Sequence, residues 1–204
     1  MADESGNNGQ TPSQTVGPYF AMGLTARAYG YEYDDVAGPN IVKPATNGQR
    51  IQLLGRVLDG EGDAVGDAMI EVWQANVHGC YNHPDDDRGD RPLDPSFLGF
   101  ARVGTGISPD QTFRLRTVKP GAPGDGQAPH LSLIVFMRGG LNHLYTRVYF
   151  DDEALANSAD PVLSSVPEER RSTLVARRED SADGTVYRFD IHMQGPRETV
   201  FFEV

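Results

Sequence analysis

From residue 51 onward, apolar and polar residues alternate with a period of two, the pattern of strands with one buried face. Ile51 to Leu58 reads as a strand closed by Asp59-Gly60 turn chemistry. Ala68 to Ala75 is a second, with Ile70, Val72 and the single Trp73 as its core candidates. Phe97 to Val103 and Thr112 to Val118 follow, the latter alternating cleanly. Leu131 to Met137 is nearly all apolar, which predicts a central strand covered on both faces. His143 to Phe150 is another strand. Thr173 to Arg178 and Val186 to Met193 form a hairpin around Ser181-Ala182-Asp183-Gly184, and Thr199 to Val204 closes the sheet.

The one convincing helical region is Asp152 to Ser172, broken by Pro161 and Pro167. Its second part opens on Pro167-Glu168-Glu169, a proline and acids suited to a helix N-terminus. A helix running past Ser172 would consume the first arm of the hairpin. The element order predicts a mainly β fold, an antiparallel β-sandwich with short helices near 152–172.

Residues 1–10 are polar and rich in Gly, Asn and acids, a composition that predicts disorder. Thr11 to Phe20 differs: Pro12 and Pro18 restrict the backbone to extended forms, Gly17 allows a bend, and Tyr19 and Phe20 can be buried. This reads as an arm of fixed shape. It either packs on its own domain or reaches a neighbouring subunit or pocket. Tyr29, Tyr31 and Tyr33 fit a strand face or a solvent-facing loop equally. The division is residues 1–48 as arm and irregular lead-in, and residues 49–204 as the sandwich, with no internal repeat.

Composition narrows the function classes. The 204 residues carry 29 Asp+Glu against 18 Lys+Arg, a formal net charge of -11, which disfavours nucleic-acid binding. No basic-then-apolar leader and no apolar run of membrane-spanning length is present. Cys80 is the single cysteine, so no intrachain disulfide can form, and the chain suits a reducing cytoplasm.

Candidate chemistry centres on Thr117 to Arg138, a strand end, a Pro/Gly-rich loop and the buried strand starting at His130. The histidines, His78, His83, His130, His143 and His192, form no HExxH or HxH pair. Tyr81 and His130 each follow a turn-like segment, and a tyrosinate and an imidazole are plausible ligands for oxidised iron. Two ligands are too few to hold it, and Ser132, Ala122 and Pro123 stand where supplements would be needed. On the residues alone, an ordinary Tyr and His at strand ends is the favoured reading. Arg138 ends an apolar strand before Gly139-Gly140; it either faces solvent or offers a charged donor to a carboxylate.

Eight segments in order carry a resemblance: TPSQTVGPYF, EVWQANVHGCY, LDPSFLGF, TVKPGAPG, APHLSLIVFMRG, TRVYFDDEALAN, YRFDIHMQG and ETVFFEV. From about Thr11 to Val204 the chain resembles the intradiol ring-cleavage dioxygenases. Catalytic chains of that family hold a non-haem ferric iron with two tyrosines and two histidines. By motif, the first tyrosine falls on Tyr81 and the first histidine on His130, but the second tyrosine falls on Pro123 and the second histidine on Ser132. The Pro123–His130 loop is shorter than in the catalytic chain, and the family's arginine ahead of the histidines falls on Gln127.

The resemblance therefore implies a partner subunit with no metal of its own, Tyr81 and His130 being remnants. Fe3+ would sit on a homologous beta subunit in an alpha–beta hetero-oligomer. The implied reaction is cleavage of 3,4-dihydroxybenzoate between its hydroxyls by O2, giving 3-carboxy-cis,cis-muconate. Thr15, Gly17, Pro18 and Tyr19 of the arm, with Arg138, match alpha-chain positions facing the partner's substrate cavity. Two other readings stand beside this one: a non-catalytic β-sandwich binding module, and a self-sufficient metalloenzyme using Tyr81, His130 and a further histidine such as His83.

Overall fold

A computed structural model describes residues 16–181 and 184–204. Eight strands form one large sheet in the order β4-β3-β6-β7-β8-β9-β1-β5. They are β1 (Arg50–Gly55), β3 (Met69–Trp73), β4 (Phe100–Gly104), β5 (Phe113–Val118), β6 (His130–Phe136), β7 (Leu144–Phe150), β8 (Val175–Ser181) and β9 (Gly184–Arg188). The short β2 (Val57–Leu58) and β10 (Ile191–His192) pair separately. The sheet folds over on itself, so that Ile70, Val72, Leu131, Leu133 and Val148 of one half share a core with Leu53, Phe113, Leu115 and Tyr187 of the other.

The sandwich is mixed rather than wholly antiparallel: β1 runs parallel to β9, β7 to β8 and β2 to β10. The parallel β7–β8 pair follows from the connector, since β7 and β8 are joined by a helical crossover rather than a tight turn. That crossover is broken at the prolines: α2 (Ala154–Ala159), α3 (Pro161–Ser165) and α4 (Glu168–Arg171). A 3-10 turn at Ser172–Leu174 takes up the first two residues of the expected hairpin arm, so β8 begins at Val175; β8 pairs with β9, the expected second arm breaks after Arg188 ahead of β10, and turn residues Ala182 and Asp183 lie outside the described residues.

Four expectations are corrected. The Ile51–Leu58 strand breaks at Arg56, because the Phe189 carbonyl crosses at Gly55, where an added Cβ would stand 1.7 Å from that oxygen. The C-terminal segment forms no strand; it makes one antiparallel bridge, Tyr145–Phe202, beside the half of β7 that β8 leaves uncovered. β6 is fully covered on one face only: Leu131, Leu133 and Val135 are buried, while on the other face Ser132, Ile134 and Phe136 are half-buried and only His130 is buried. Trp73 cannot share the inner face with Ile70 and Val72, because successive side chains alternate, and it lies half-buried on the outer face.

Residues 1–15, with most of the expected arm and the expected disordered tail, lie outside the described residues; from Pro18 on, a helix stands where an extended arm was expected. Pro18 opens α1 (Pro18–Leu24), a position where its missing N–H costs nothing. Ala21 is buried with Tyr29 and Met69, and Phe20 rests on Phe136 with ring centroids 5.3 Å apart. This part packs on its own domain. Tyr31 and Tyr33 are exposed in a loop.

Candidate functional site

The outer face of β6 organises the site. Residues directly opposed across an antiparallel ladder share a face. Ser132 is flanked by Trp73 of β3 and Arg147 of β7, and His130 is opposed by Tyr149. The segment after β3 turns back at Gly79 with φ +79°, a conformation that favours glycine. The 117–130 loop lies against that turn, and a Cβ on Gly79 would meet the Ala122 carbonyl at 2.0 Å. Arg88 and Arg91 both donate to the Pro123 carbonyl and so tie the two loops together. Trp73, Tyr81, His83, Asp85, Asp86, Arg88, Asp125 and Ser132 line an open cleft of about 590 Å³.

His130 is buried, and its Nδ1–H donates to the Ala128 carbonyl at 2.8 Å, leaving Nε2 as the acceptor nitrogen. Burial pushes its pKa down to about 4, and the Arg147 cation adds to the fall. Burial raises the Tyr81 hydroxyl above its ordinary value, with Arg147 and Arg88 pulling the other way. Arg147 donates to Gln127 Oε1 at 2.9 Å and to the Tyr149 hydroxyl at 3.4 Å. Tyr149 is pushed up to about 12 by burial, and its hydroxyl donates to Asp160 at 3.1 Å. Asp86 accepts from the Tyr81 N–H at 2.7 Å and pairs with Arg88 at 2.5 Å, which holds its carboxyl far below the usual range.

The structure thus brings Tyr81, Ser132 and His83 to one cleft, with His130 beside Ser132 on β6. His78 and His143 are exposed elsewhere, and His192 is half-buried in β10. The described arm residues and Arg138 lie at the other end of β6. Gly17 is the extended residue ahead of α1, Tyr19 is 81% exposed, and Thr15 lies outside the described residues. Phe20 on Phe136 anchors α1 two residues from Arg138. The Arg138 side chain is 65% exposed, and its Nε stands 3.0 Å from buried Asp67. Among the described residues, neither Asp67 oxygen has a well-directed hydrogen bond, so the contact with Arg138 is one of charge. The run of seven residues in β6 separates the two ends by roughly 20 Å.

Sequence reasoning missed Arg147, Asp160 and Asp67. Asp160-Pro161 is an N-cap followed by proline, a helix-start signal that could have drawn attention to Asp160. Arg147 sits in an alternating strand, and only the register across β6 shows what it faces.

A mostly β sheet folded over one core, with Tyr81 lining an outer-face cleft and His130 buried beside it, defines a class. A family model described as Dioxygenase matches residues 17–195, and the chain belongs to this family of intradiol ring-cleaving dioxygenases. Within it, the chain is 52% identical over 197 residues to the protocatechuate 3,4-dioxygenase alpha chain of Burkholderia cepacia, covering 96% of this chain and 98% of that one. It is 36% identical over 158 residues to the beta chain from the same organism, covering 72% of this chain and 66% of that one. The fold resembles the dioxygenase domain of a carbohydrate-binding fusion protein from Streptomyces sp. SirexAA-E, with a TM-score of 0.56, 18% identity, and coverage of 93% and 100%.

The family is iron-dependent, so the cleft was tested as an iron site. His130, with Nδ1–H on a carbonyl, keeps the orientation of a ligand histidine. The rest of the donor set does not fit. Positions 123 and 132 offer a proline and a serine, and among the described residues no three His, Cys, Asp or Glu side chains group to hold a metal. The Arg147 cation lowers the pKa of both Tyr81 and His130, against what burial alone would give the tyrosine and in step with it for the histidine. Also among the described residues, no helix is long and apolar enough to cross a membrane.

Proposed function

We propose that this chain is the iron-free alpha-type subunit of a protocatechuate 3,4-dioxygenase, working in a hetero-oligomer with a homologous beta subunit that holds the Fe3+. The assembly cleaves 3,4-dihydroxybenzoate between its hydroxyls with O2 to give 3-carboxy-cis,cis-muconate. The observation that carries this reading is the 52% identity to an alpha chain along nearly the whole of both chains, against 36% over two thirds of a beta chain. Pro123 and Ser132 at the places of two iron ligands agree with it. A single buried thiol suits a cytoplasmic enzyme.

The residues this chain contributes are those at the Phe136 end of β6. Arg138 offers a guanidinium, well matched to a benzoate carboxylate, at the partner's cavity. Thr15, Gly17, Pro18 and Tyr19 cover that cavity and exclude water from it. Arg138→Ala in the alpha–beta assembly should raise KM for 3,4-dihydroxybenzoate about tenfold or more, the worth of one charge-assisted hydrogen bond. KM for catechol, which has no carboxylate, should stay unchanged. An unaltered KM for both removes Arg138 from the site. Elemental analysis of the assembly should give a single iron per alpha–beta pair, retained by the beta subunit; a second iron held by this chain overturns the reading.

A further inference from the structure

Asp67 is a buried carboxylate far from the cleft that packing alone does not explain. Its side chain is 6% exposed, and a buried anion is costly unless hydrogen bonds or a cation satisfy it. Among the described residues its oxygens have no well-directed hydrogen bond, and Arg138 is the one cation paired with it. Asp67 stands two residues ahead of Met69, which opposes Phe136 across the antiparallel β3–β6 ladder. Carried two residues outward, that register sets Asp67 opposite Arg138, and the 3.0 Å contact between Arg138 Nε and Asp67 Oδ2 agrees with it. The chain is fixed on the Asp67 side. The Ala68 N–H donates to the Thr105 hydroxyl at 3.2 Å, Ala68 is fully buried, and Met69 packs with Ala21 and Tyr29 of the N-terminal helical layer. Asp67 is therefore the anchored member of the pair, and Arg138, with its long side chain 65% exposed, is the member that needs holding.

We infer that Asp67 is the positioning residue for Arg138, holding its guanidinium through Nε so that the terminal nitrogens are presented to the substrate carboxylate. A planar guanidinium has donors on more than one edge, so one carboxylate can meet Nε while a second is met by the terminal nitrogens. An ammonium is a point charge without that rigid fork. Holding the arginine beforehand removes rotamer freedom that substrate binding would otherwise have to remove. Charge alone acts in the opposite sense: an anion beside Arg138 weakens its pull on a second carboxylate, so neutralising Asp67 would tighten binding if charge were all that mattered. The inference rests on the reading that Arg138 faces the substrate in the partner's cavity.

The test is steady-state kinetics of the alpha–beta assembly with 3,4-dihydroxybenzoate and with catechol. Asp67→Asn should raise KM for 3,4-dihydroxybenzoate about threefold or more, the worth of one long side chain no longer held in place. It should leave kcat, and KM for catechol, unchanged. In the Arg138→Ala background, Asp67→Asn should change KM no further, because no guanidinium is left to position. A merely structural role for Asp67 would act in both backgrounds alike. Arg138→Lys, which leaves Asp67 intact and so does not depend on the folding of an Asp67 variant, should also raise KM for 3,4-dihydroxybenzoate. The inference is overturned if Arg138→Ala raises that KM while an assembled Asp67→Asn leaves it unchanged or lowers it. It is equally overturned if Asp67→Asn adds its full effect to that of Arg138→Ala, or if Arg138→Lys keeps the ordinary KM. An Arg138→Ala assembly with unchanged KM defeats instead the reading of Arg138 itself, and the inference falls with it.

Discussion

His130 is a histidine that the fold keeps neutral. Around it are the Ala128 carbonyl, the Tyr149 ring with centroids 5.8 Å away, the Arg147 cation, and the opposing charge of Asp160. Its folded pKa of about 4 lies below the ordinary value, so stability is full above the unfolded pKa near 6.5. As pH falls from there, the unfolded chain takes up a proton that the folded chain refuses. By pH 4 that costs about 3 kcal/mol. Urea midpoints at pH 7 and pH 4.5 should differ more for the unaltered protein than for His130→Gln. An equal difference would mean that His130 is not the group titrating. Asp67 poses the mirror problem, a buried anion with Arg138 as its cation. Arg138→Ala should therefore also lower stability, by about 1–2 kcal/mol, discounted because Arg138 is largely exposed. Asp67→Asn in that background should recover most of it, which separates the stability effect from the effect on KM. At this scale the sequence was half legible. Tyr81 and His130 stand out by type and position, and so do the unsuited Pro123 and Ser132. Arg147 and Asp67 do not, because a charged residue in an alternating strand, or in a Gly-Asp turn such as Gly66-Asp67, looks the same whether it faces water or the protein.

The element that holds the site together is the crossover between β7 and β8. Asp160 is fully buried at its first break and accepts from the Leu163 N–H at 2.8 Å, the Ala128 N–H at 2.8 Å and the Tyr149 hydroxyl at 3.1 Å. One carboxylate thus caps α3, pins the loop entering β6 and fixes the Arg147 acceptor. Asp160→Ala should cost about 3 kcal/mol or more, since it strands three buried donors at once. Asp160→Asn, which keeps an acceptor, should cost less. Thermal melts of both variants decide this, and matched losses would deny the carboxylate its threefold role. The strands were legible because alternation is a local property. The breaks at Pro161 and Pro167 were legible because proline acts on its own residue. The parallel pairings were not, since direction is set by how a connector packs. Nor was the break at Arg56, which depends on Phe189, a strand away in space and far along the chain. Pro18 was misread because it suits an extended arm and the first turn of a helix equally well.

For the whole molecule, the decisive fact is that the pocket remnant and the arm-plus-Arg138 cluster occupy opposite ends of β6. Under the proposed function, this separation keeps the residues offered to the partner's site from competing with the chain's own cleft. Between the two ends lies the outer face of the sheet, where Trp73, Phe100, Ile134 and Tyr145 are half-buried. The Glu71–Arg102 ion pair stands among them, opposite Ile134, so the face is a mixed apolar and charged surface of the kind a partner of like construction can cover. If the homologous beta subunit covers it, the contact is near-symmetric, with each chain's far end meeting the other's cleft. Ile134→Lys should then abolish co-purification with the beta subunit while leaving the fold intact, because Ile134 points away from the core shared by Leu133 and Val135. The same change should remove ring cleavage along with assembly, although Ile134 touches neither Arg138 nor the arm in sequence. Co-purification and circular dichroism together check it. A folded variant that still assembles and turns over would place the partner on another face, and would leave Arg138 and Tyr19 to reach it by a different route.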